Sequence, residues 1–160
     1  MSITFDLTIL LDTPRWQDVL PDYEDLCHRT IQRTFEHVHN SGGEKELSLV
    51  LGDDALLQSY NHQYRGKDKP TNVLSFPASL PAQAFQMNHN LGDILISLTT
   101  LEKEALEQHK SFSSHFQHML VHGLLHLFGY DHLTDEEANA MEELEIRILQ
   151  TFGIANPYEF

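Results

Sequence analysis

The sequence predicts an α+β fold: a small mixed sheet of about four strands covered by about five helices. Three observations predict it. Short runs of strand character near residues 3–9, 47–51, 73–76 and 91–97 are spread through the first two thirds of the chain. Helical patterning then fills the last third, so strands and helices are partly segregated. Finally, 160 residues with 41% hydrophobic and 21% charged content fit one globular domain over 1–160, with a core that needs no staples.

In order along the chain, Ile3, Phe5, Leu7 and Ile9 alternate with Thr4, Asp6 and Thr8, the period of a half-buried strand. Pro14 falls in the connection. From about Asp22 to His39, Leu26, Thr30 with Ile31, Phe35 and Val38 recur at helical spacing, and Gly42 with Gly43 supplies a stop. Leu47 to Leu51 reads as the second strand. Asp53 is placed to cap a helix whose Leu56, Leu57, Tyr60 and Tyr64 face inward and which Gly66 ends. Pro70 forces an extended or turn entry into a short strand, Val73 to Phe76, closed by Pro77. Residues 78–90 have no period and read as a long, mobile loop. Leu91 to Ser97 is apolar enough for burial on both faces, with Gly92 marking a bulge or a close backbone approach.

Three helices follow, from about Thr99 to His109, Ser113 to Phe128, and Thr134 onward. In the last, Thr134 and Glu137 form a capping box in which each satisfies the other's backbone donor. Ala138, Met141, Leu144 and Ile148 make its apolar stripe, and its glutamates read as a solvated face.

Composition excludes several classes. The opening Met-Ser-Ile-Thr-Phe-Asp has no basic n-region, and no apolar run approaches the roughly 20 residues of a membrane span, so a cytoplasmic protein is expected. The single Cys27 precludes an intrachain disulfide and a disulfide-linked partner is not expected; it reads as a buried small hydrophobe. A net charge of −14 argues against an ordinary basic nucleic-acid binder. The charge is uneven, however. Between Asp131 and Thr151 seven acids face Arg147 alone, whereas Arg65, Lys67 and Lys69 put three bases into five positions.

The chemistry concentrates in His118-Met-Leu-Val-His122-Gly-Leu-Leu-His126-Leu-Phe-Gly129-Tyr-Asp-His132. On a helix, His122 and His126 lie on one face, about 40° and one turn (about 6 Å) apart. Gly129 suits the left-handed residue that ends a helix, after which His132 returns as a third ligand. Eleven histidines will give some pairs at this spacing by chance; a third directly past a helix stop is what sets this group apart. Three neutral imidazoles leave a fourth position open, the catalytic rather than structural zinc arrangement, and such a dication lowers the pKa of water to about 7. Imidazoles also suit copper, nickel or iron, but hydrolysis needs no redox chemistry, which makes one zinc ion per chain the expectation.

These residues make the helix zincin-like. His122, His126, Gly129 and His132 fall at the metal-site positions of the metzincin pattern H-E-x-x-H-x-x-G-x-x-H, but Gly123 stands where the general base belongs. This counts strongly against peptide hydrolysis by that route and shifts charge handling elsewhere. Arg65 is the best candidate, a guanidinium able to grip a phosphate or carboxylate in two places; the alternative is a surface arginine capping its own helix. Lys67 and Lys69 are solvated residues with a secondary role in steering an anion. His118, one turn before His122, is read as lining the pocket or backing the ligands, since a fourth protein ligand would close the open position. Asp131 either orients a ligand histidine or serves only as a turn residue. Ser75 and Asp93, in strands near these elements, read as turn or backbone hydrogen-bonding residues. His28, His37, His39, His62, His89, His109 and His115 read as surface or core.

Three ordered blocks resemble the bacterial YbeY family: the histidine segment above followed by Glu137 and Met141-Glu142; Tyr64-Arg65-Gly-Lys67-Asp68-Lys-Pro70-Thr71-Asn72-Val-Leu-Ser75-Phe76-Pro77; and Leu91-Gly92-Asp93-Ile94. The resemblance covers roughly Asn61 to Leu149, with Asn72 where members often carry Asp. It implies a single-domain, zinc-dependent endoribonuclease acting in rRNA processing, in 3′-end maturation of small-subunit rRNA and ribosome quality control. The partners it implies are rRNA and ribosomal or pre-ribosomal particles, and no membrane. It would make His122, His126 and His132 the zinc ligands and Arg65 the arginine of the catalytic cleft. A chain of net charge −14 then needs a focused basic cleft or a ribosomal partner to engage RNA. Two other readings stand beside it: a metalloprotease or amide hydrolase, on the ligand spacing, and a non-catalytic ribosome-assembly factor whose zinc is structural.

Overall fold

The computed structural model describes residues 4–38, 45–78 and 91–159. Within these, four strands, β1 (Phe5–Leu11), β2 (Lys45–Gly52), β3 (Val73–Pro77) and β4 (Gly92–Ser97), form one sheet in the order β1-β2-β4-β3. The first three in that order run parallel, and β3 is antiparallel to β4 on the edge. The expected α+β class with a mixed four-stranded sheet is what forms. The loop expected over 78–90 lies, beyond Ala78, outside the described residues, as do Gly42, Gly43, His39 and His89.

Alternation sorts the strands' side chains between two faces. Leu47, Leu49, Leu51, Ile94 and Ile96 point to one face, where α1 (Arg15–Val19), α2 (Tyr23–His37), α4 (Leu98–Glu107) and α5 (Phe112–Leu127) supply the other half of the main core. Val50, Leu74, Phe76 and Leu95 point to the other, covered by α3 (Asp54–Arg65) through Leu57, Tyr60 and Tyr64. Every residue of β4 is buried, as its apolar run requires of a strand sandwiched by helices. Gly92, at φ 131°, lies where a Cβ would fall 2.1 Å from the carbonyl oxygen of Phe76, so the close approach read from the sequence is to the edge strand. Beneath α6 (Asp135–Gln150) a second cluster joins Met141, Leu144, Ile148 and Leu149 to Val121 and Leu125 of α5.

Several local expectations are corrected. Among the described residues there are six helices; α1 spans only five residues, too few for a period to show. Its N-cap is Pro14, whose φ of −69° is already helical, and it is anchored by the fully buried Trp16, whose indole donates to Gly52 O at 2.9 Å. Asp53 caps α3 through Asp54 N but also accepts from Thr99 N at 2.9 Å, so one carboxylate ties together the starts of α3 and α4. The capping box at α6 closes on one side only: Thr134 Oγ1 accepts from Glu137 N, whereas the Glu137 carboxylate reaches past Thr134 to Leu133 N. Asp93 bonds a side chain: its buried carboxylate accepts from Ser48 Oγ on the neighbouring strand. Cys27 is buried, and desolvation, with Glu24 nearby, pushes its thiol up to about 12, an inert residue.

Candidate metal centre

Helix α5 begins at Ser111, whose Oγ accepts from Ser114 N, and runs through the middle of the fold between the sheet, α2, α4 and α6. It ends in a Schellman turn. Gly129 N donates to His126 O at 3.0 Å and Tyr130 N to Leu125 O at 3.1 Å, with Gly129 at φ 98°. The accompanying apolar contact is Tyr130 packing into the cluster that holds Leu125. This reversal carries the chain back over the helix end, and His132 arrives beside His122 and His126. One nitrogen from each of the three rings lies within 4.8 Å of those of the other two.

The convergence suits an ion. Two imidazole nitrogens 2.0–2.1 Å from a tetrahedral centre stand about 3.3 Å apart, and Nε2 of His122 and Nε2 of His126 are 3.2 Å apart. His122 is oriented from behind: its Nδ1 donates to Glu145 Oε1 at 2.7 Å. That bond leaves Nε2 as the lone-pair nitrogen and aims it into the cluster, as metal-site histidines require. Glu145 is fully buried, although the sequence pattern placed the α6 glutamates on a solvated face. The reason is positional. Glu145 follows Leu144 and sits one turn from Met141 and Ile148, on the flank of the buried stripe.

Its other oxygen, Oε2, takes His118 Nε2 at 3.0 Å and the Tyr158 hydroxyl. Burial pushes the Glu145 carboxyl up. The hydrogen bonds from His118 and His122, and their positive charge when protonated, outweigh burial and hold it down to about 2, so it is a carboxylate at neutral pH. Burial lowers the pKa of His118 despite that partner. Burial, with the neighbouring His122 and His132, also lowers that of His126, which keeps its imidazole neutral and free to donate electrons.

Other expected site residues fall in different places. His118 does not join the cluster; its ring is 6.4 Å from that of His122, edge to face, and it backs Glu145. Asp131 accepts the backbone N–H of His132 at 2.8 Å, while its carboxylate stands 3.8 Å from His132 Nδ1, so its bond is of the turn type. Ser75 Oγ donates to Gly123 O at 2.8 Å, a backbone bond that pins the edge strand to α5. Gly123 is small for a reason: a Cβ there would sit 3.1 Å from Ile94, Ser75 and Val73, so sheet and helix meet where a protease base would stand.

Arg65 is exposed at the C-terminal end of α3, next to Tyr64, which packs on Phe76 of β3. Among the described residues no hydrogen bond or ion pair engages its guanidinium or links it to the three histidines. It does not cap its own helix; the backbone amides of Gly66 and Lys67 do that. Lys67 and Lys69 are exposed beside it, and Asn61 Nδ2 holds Lys69 O at 2.9 Å. Sequence reasoning missed Glu145, Tyr158 and Glu104, which holds His115 at 2.9 Å.

Sheet, central helix and imidazole cluster define a class: an α+β fold with a candidate three-histidine metal site. A family model described as endoribonuclease YbeY matches residues 14–153. The endoribonuclease YbeY of Paramagnetospirillum magneticum is 43% identical over 162 residues, 99% of this chain and 98% of that protein. That of Rhizobium etli is 56% identical over 115 residues, 71% and 67% of the two chains. The solution structure of TM1509 from Thermotoga maritima, at 21% identity, superposes with a TM-score of 0.55 over 96% of each chain and shares the fold. The chain therefore belongs to the endoribonuclease YbeY family, hydrolases of phosphodiester bonds. No described helix is long and apolar enough to cross a membrane.

Proposed function

We propose that this chain is a single-domain, metal-dependent endoribonuclease that cuts single-strand-type RNA, acting in the cytoplasm on rRNA within ribosomal or pre-ribosomal particles. The role in 3′-end maturation of small-subunit rRNA and in ribosome quality control belongs to the same reading. The observation that carries it is the convergence of His122, His126 and His132, with Nε2 of His122 and of His126 at ligand spacing and His122 held by a buried carboxylate.

In this reading the three imidazoles hold one zinc ion. When bound, zinc supplies Lewis acidity and a water acidified into the neutral range. The chain's own residues do the rest. Glu145 keeps His122 in the tautomer that offers Nε2. Arg65, unpaired among the described residues, grips a phosphate oxygen and stabilises negative charge that grows in the transition state. Lys67 and Lys69 draw the anionic substrate toward it. Gly123 offers no side chain as base, which removes the support for a metzincin-type peptidase.

Cleavage of an rRNA fragment, followed with and without chelator, tests the reading in wild type, His122→Ala and Arg65→Glu. Chelator and His122→Ala abolish cleavage; Arg65→Glu abolishes it while zinc stays bound. Full cleavage by His122→Ala would overturn the nuclease assignment. A cleavage-dead variant that fully rescues ribosome assembly in cells would replace it with the assembly-factor reading.

A further inference from the structure

We propose that the C-terminal tail, residues 151–159, is a positioning element for the histidine cluster, acting through Tyr158. Helix α6 ends at Gln150, and the chain turns back through Gly153, with Ile154 N bonded to Leu149 O at 3.1 Å. Lys110 Nζ donates to Pro157 O at 3.3 Å, which pins the tail to the turn between α4 and α5. Asn156 Oδ1 accepts from Tyr158 N at 2.8 Å and sets the direction of the next side chain. The Tyr158 ring then stands edge-on to His118, centroids 5.4 Å apart, and its hydroxyl donates to Glu145 Oε2.

Glu145 explains why that hydroxyl matters beyond packing. A fully buried carboxylate is held only by the donors around it. Among the described residues there are three, His122 Nδ1 on Oε1 and His118 Nε2 with the Tyr158 hydroxyl on Oε2. Two donors on Oε2 fix the carboxylate's rotation and so fix Oε1 against His122. Without Tyr158, Oε2 keeps His118 alone, and the carboxylate is free to turn toward it and slacken its hold on His122. Tyr158 touches none of the three clustered histidines in this arrangement; it acts through Glu145, as a positioning residue.

This inference rests on the metal reading, and one set of measurements separates the two. Zinc affinity is measured by chelator competition on the full chain for wild type, His122→Ala, Glu145→Gln, Tyr158→Phe and the Glu145→Gln/Tyr158→Phe double variant. The His122 Nδ1–H resonance is recorded on the metal-free proteins. Outer partners of ligand histidines carry about 10–100-fold in affinity. Glu145→Gln therefore weakens zinc by that range and Tyr158→Phe by up to about tenfold, with no further loss in the double variant, because both act on one bond. In Tyr158→Phe the hydrogen-bonded proton moves upfield even without metal, which reports the loosened bond should the variant be less stable. If His122→Ala binds zinc as wild type does, the metal reading itself fails. Should His122→Ala lose zinc while Tyr158→Phe keeps both wild-type affinity and the wild-type proton shift, the role of the tail is overturned. Full additivity in the double variant overturns it too.

Discussion

Helix α5 carries four histidines on one stripe, His115, His118, His122 and His126, and the two halves of that stripe do different things. In the N-terminal half each ring is nearly fully buried and bonds a carboxylate: Glu104 for His115, Glu145 for His118. One nitrogen of each ring, Nε2, bonds its acid, while Nδ1 of each is buried with no hydrogen-bond partner among the described residues, and neither ring joins the three-histidine group. In the C-terminal half the rings are half-buried, and His122 shares Glu145 through one nitrogen only, while no carboxylate among the described residues hydrogen-bonds His126. Residue type and helical spacing are the same throughout. What separates a structural histidine from a candidate ligand is whether its partner leaves a nitrogen directed at its neighbours. The helix stop at Gly129 completes the distinction, because only the C-terminal half meets a returning chain with a third imidazole.

The difference can be broken from either side. His126→Ala removes a candidate ligand and is expected to cost more than about 100-fold in zinc affinity, beyond the range set by outer partners. His115→Ala leaves that affinity within a few-fold. Chelator competition on the two variants reads the contrast, and equal losses would erase it.

A glutamate restored at position 123 is the next largest perturbation. Gly123→Glu drives a side chain against Ile94, Ser75 and Val73 at 3.1 Å, and overpacking of this kind costs about 1–3 kcal/mol. Denaturant unfolding should show that loss with no gain of peptidase activity. A stable, peptide-cleaving variant would mean the missing base, and not the packing of sheet on helix, is what sets this chain apart from proteases.

The N-terminal half predicts a pH signature. Burial raises the Glu104 carboxyl, but hydrogen bonds from His115 and Asn72 outweigh it, and the net shift is below the ordinary 4.5. A depressed carboxyl contributes stability that is complete above its unfolded value and vanishes as pH falls through the native one. Glu104→Gln should therefore cost about 1–2 kcal/mol at pH 7, with the gap to wild type closing below pH 4.5. Unfolding curves over a pH series check this; a gap that does not change with pH would remove the carboxylate from the account. The smallest effect belongs to Asp131→Ala, which loses one exposed bond to a backbone amide and should move zinc affinity by less than about tenfold, below the span of a true ring partner.

How much of this was written in the sequence follows from the kind of signal each part leaves. Local rules were enough for the four strands, the Gly129 stop and the pairing of His122 with His126, because period and turn chemistry act over a few residues. The same rules misplaced Glu145. Counting charges on α6 gives a solvated face, yet Met141, Leu144 and Ile148 already mark the side on which Glu145 lies, and a charge there signals a buried partner. Tyr158 left no signal, since its bond spans thirteen residues across a tail with no period. Gly123 was legible as a missing base; its reason, the approach of Ser75 and Val73, is a tertiary fact no local pattern carries.

The contrast between the two halves comes down to whether an ion binds in the C-terminal half of the stripe alone. Crystals of the full chain soaked with zinc, mapped by anomalous scattering at the zinc edge, test it directly. One peak is expected, bonded to Nε2 of His122, Nε2 of His126 and a ring nitrogen of His132, with Glu145 retained on His122 Nδ1. A peak bonded to His118 or His115, or no peak among the three histidines, would contradict it.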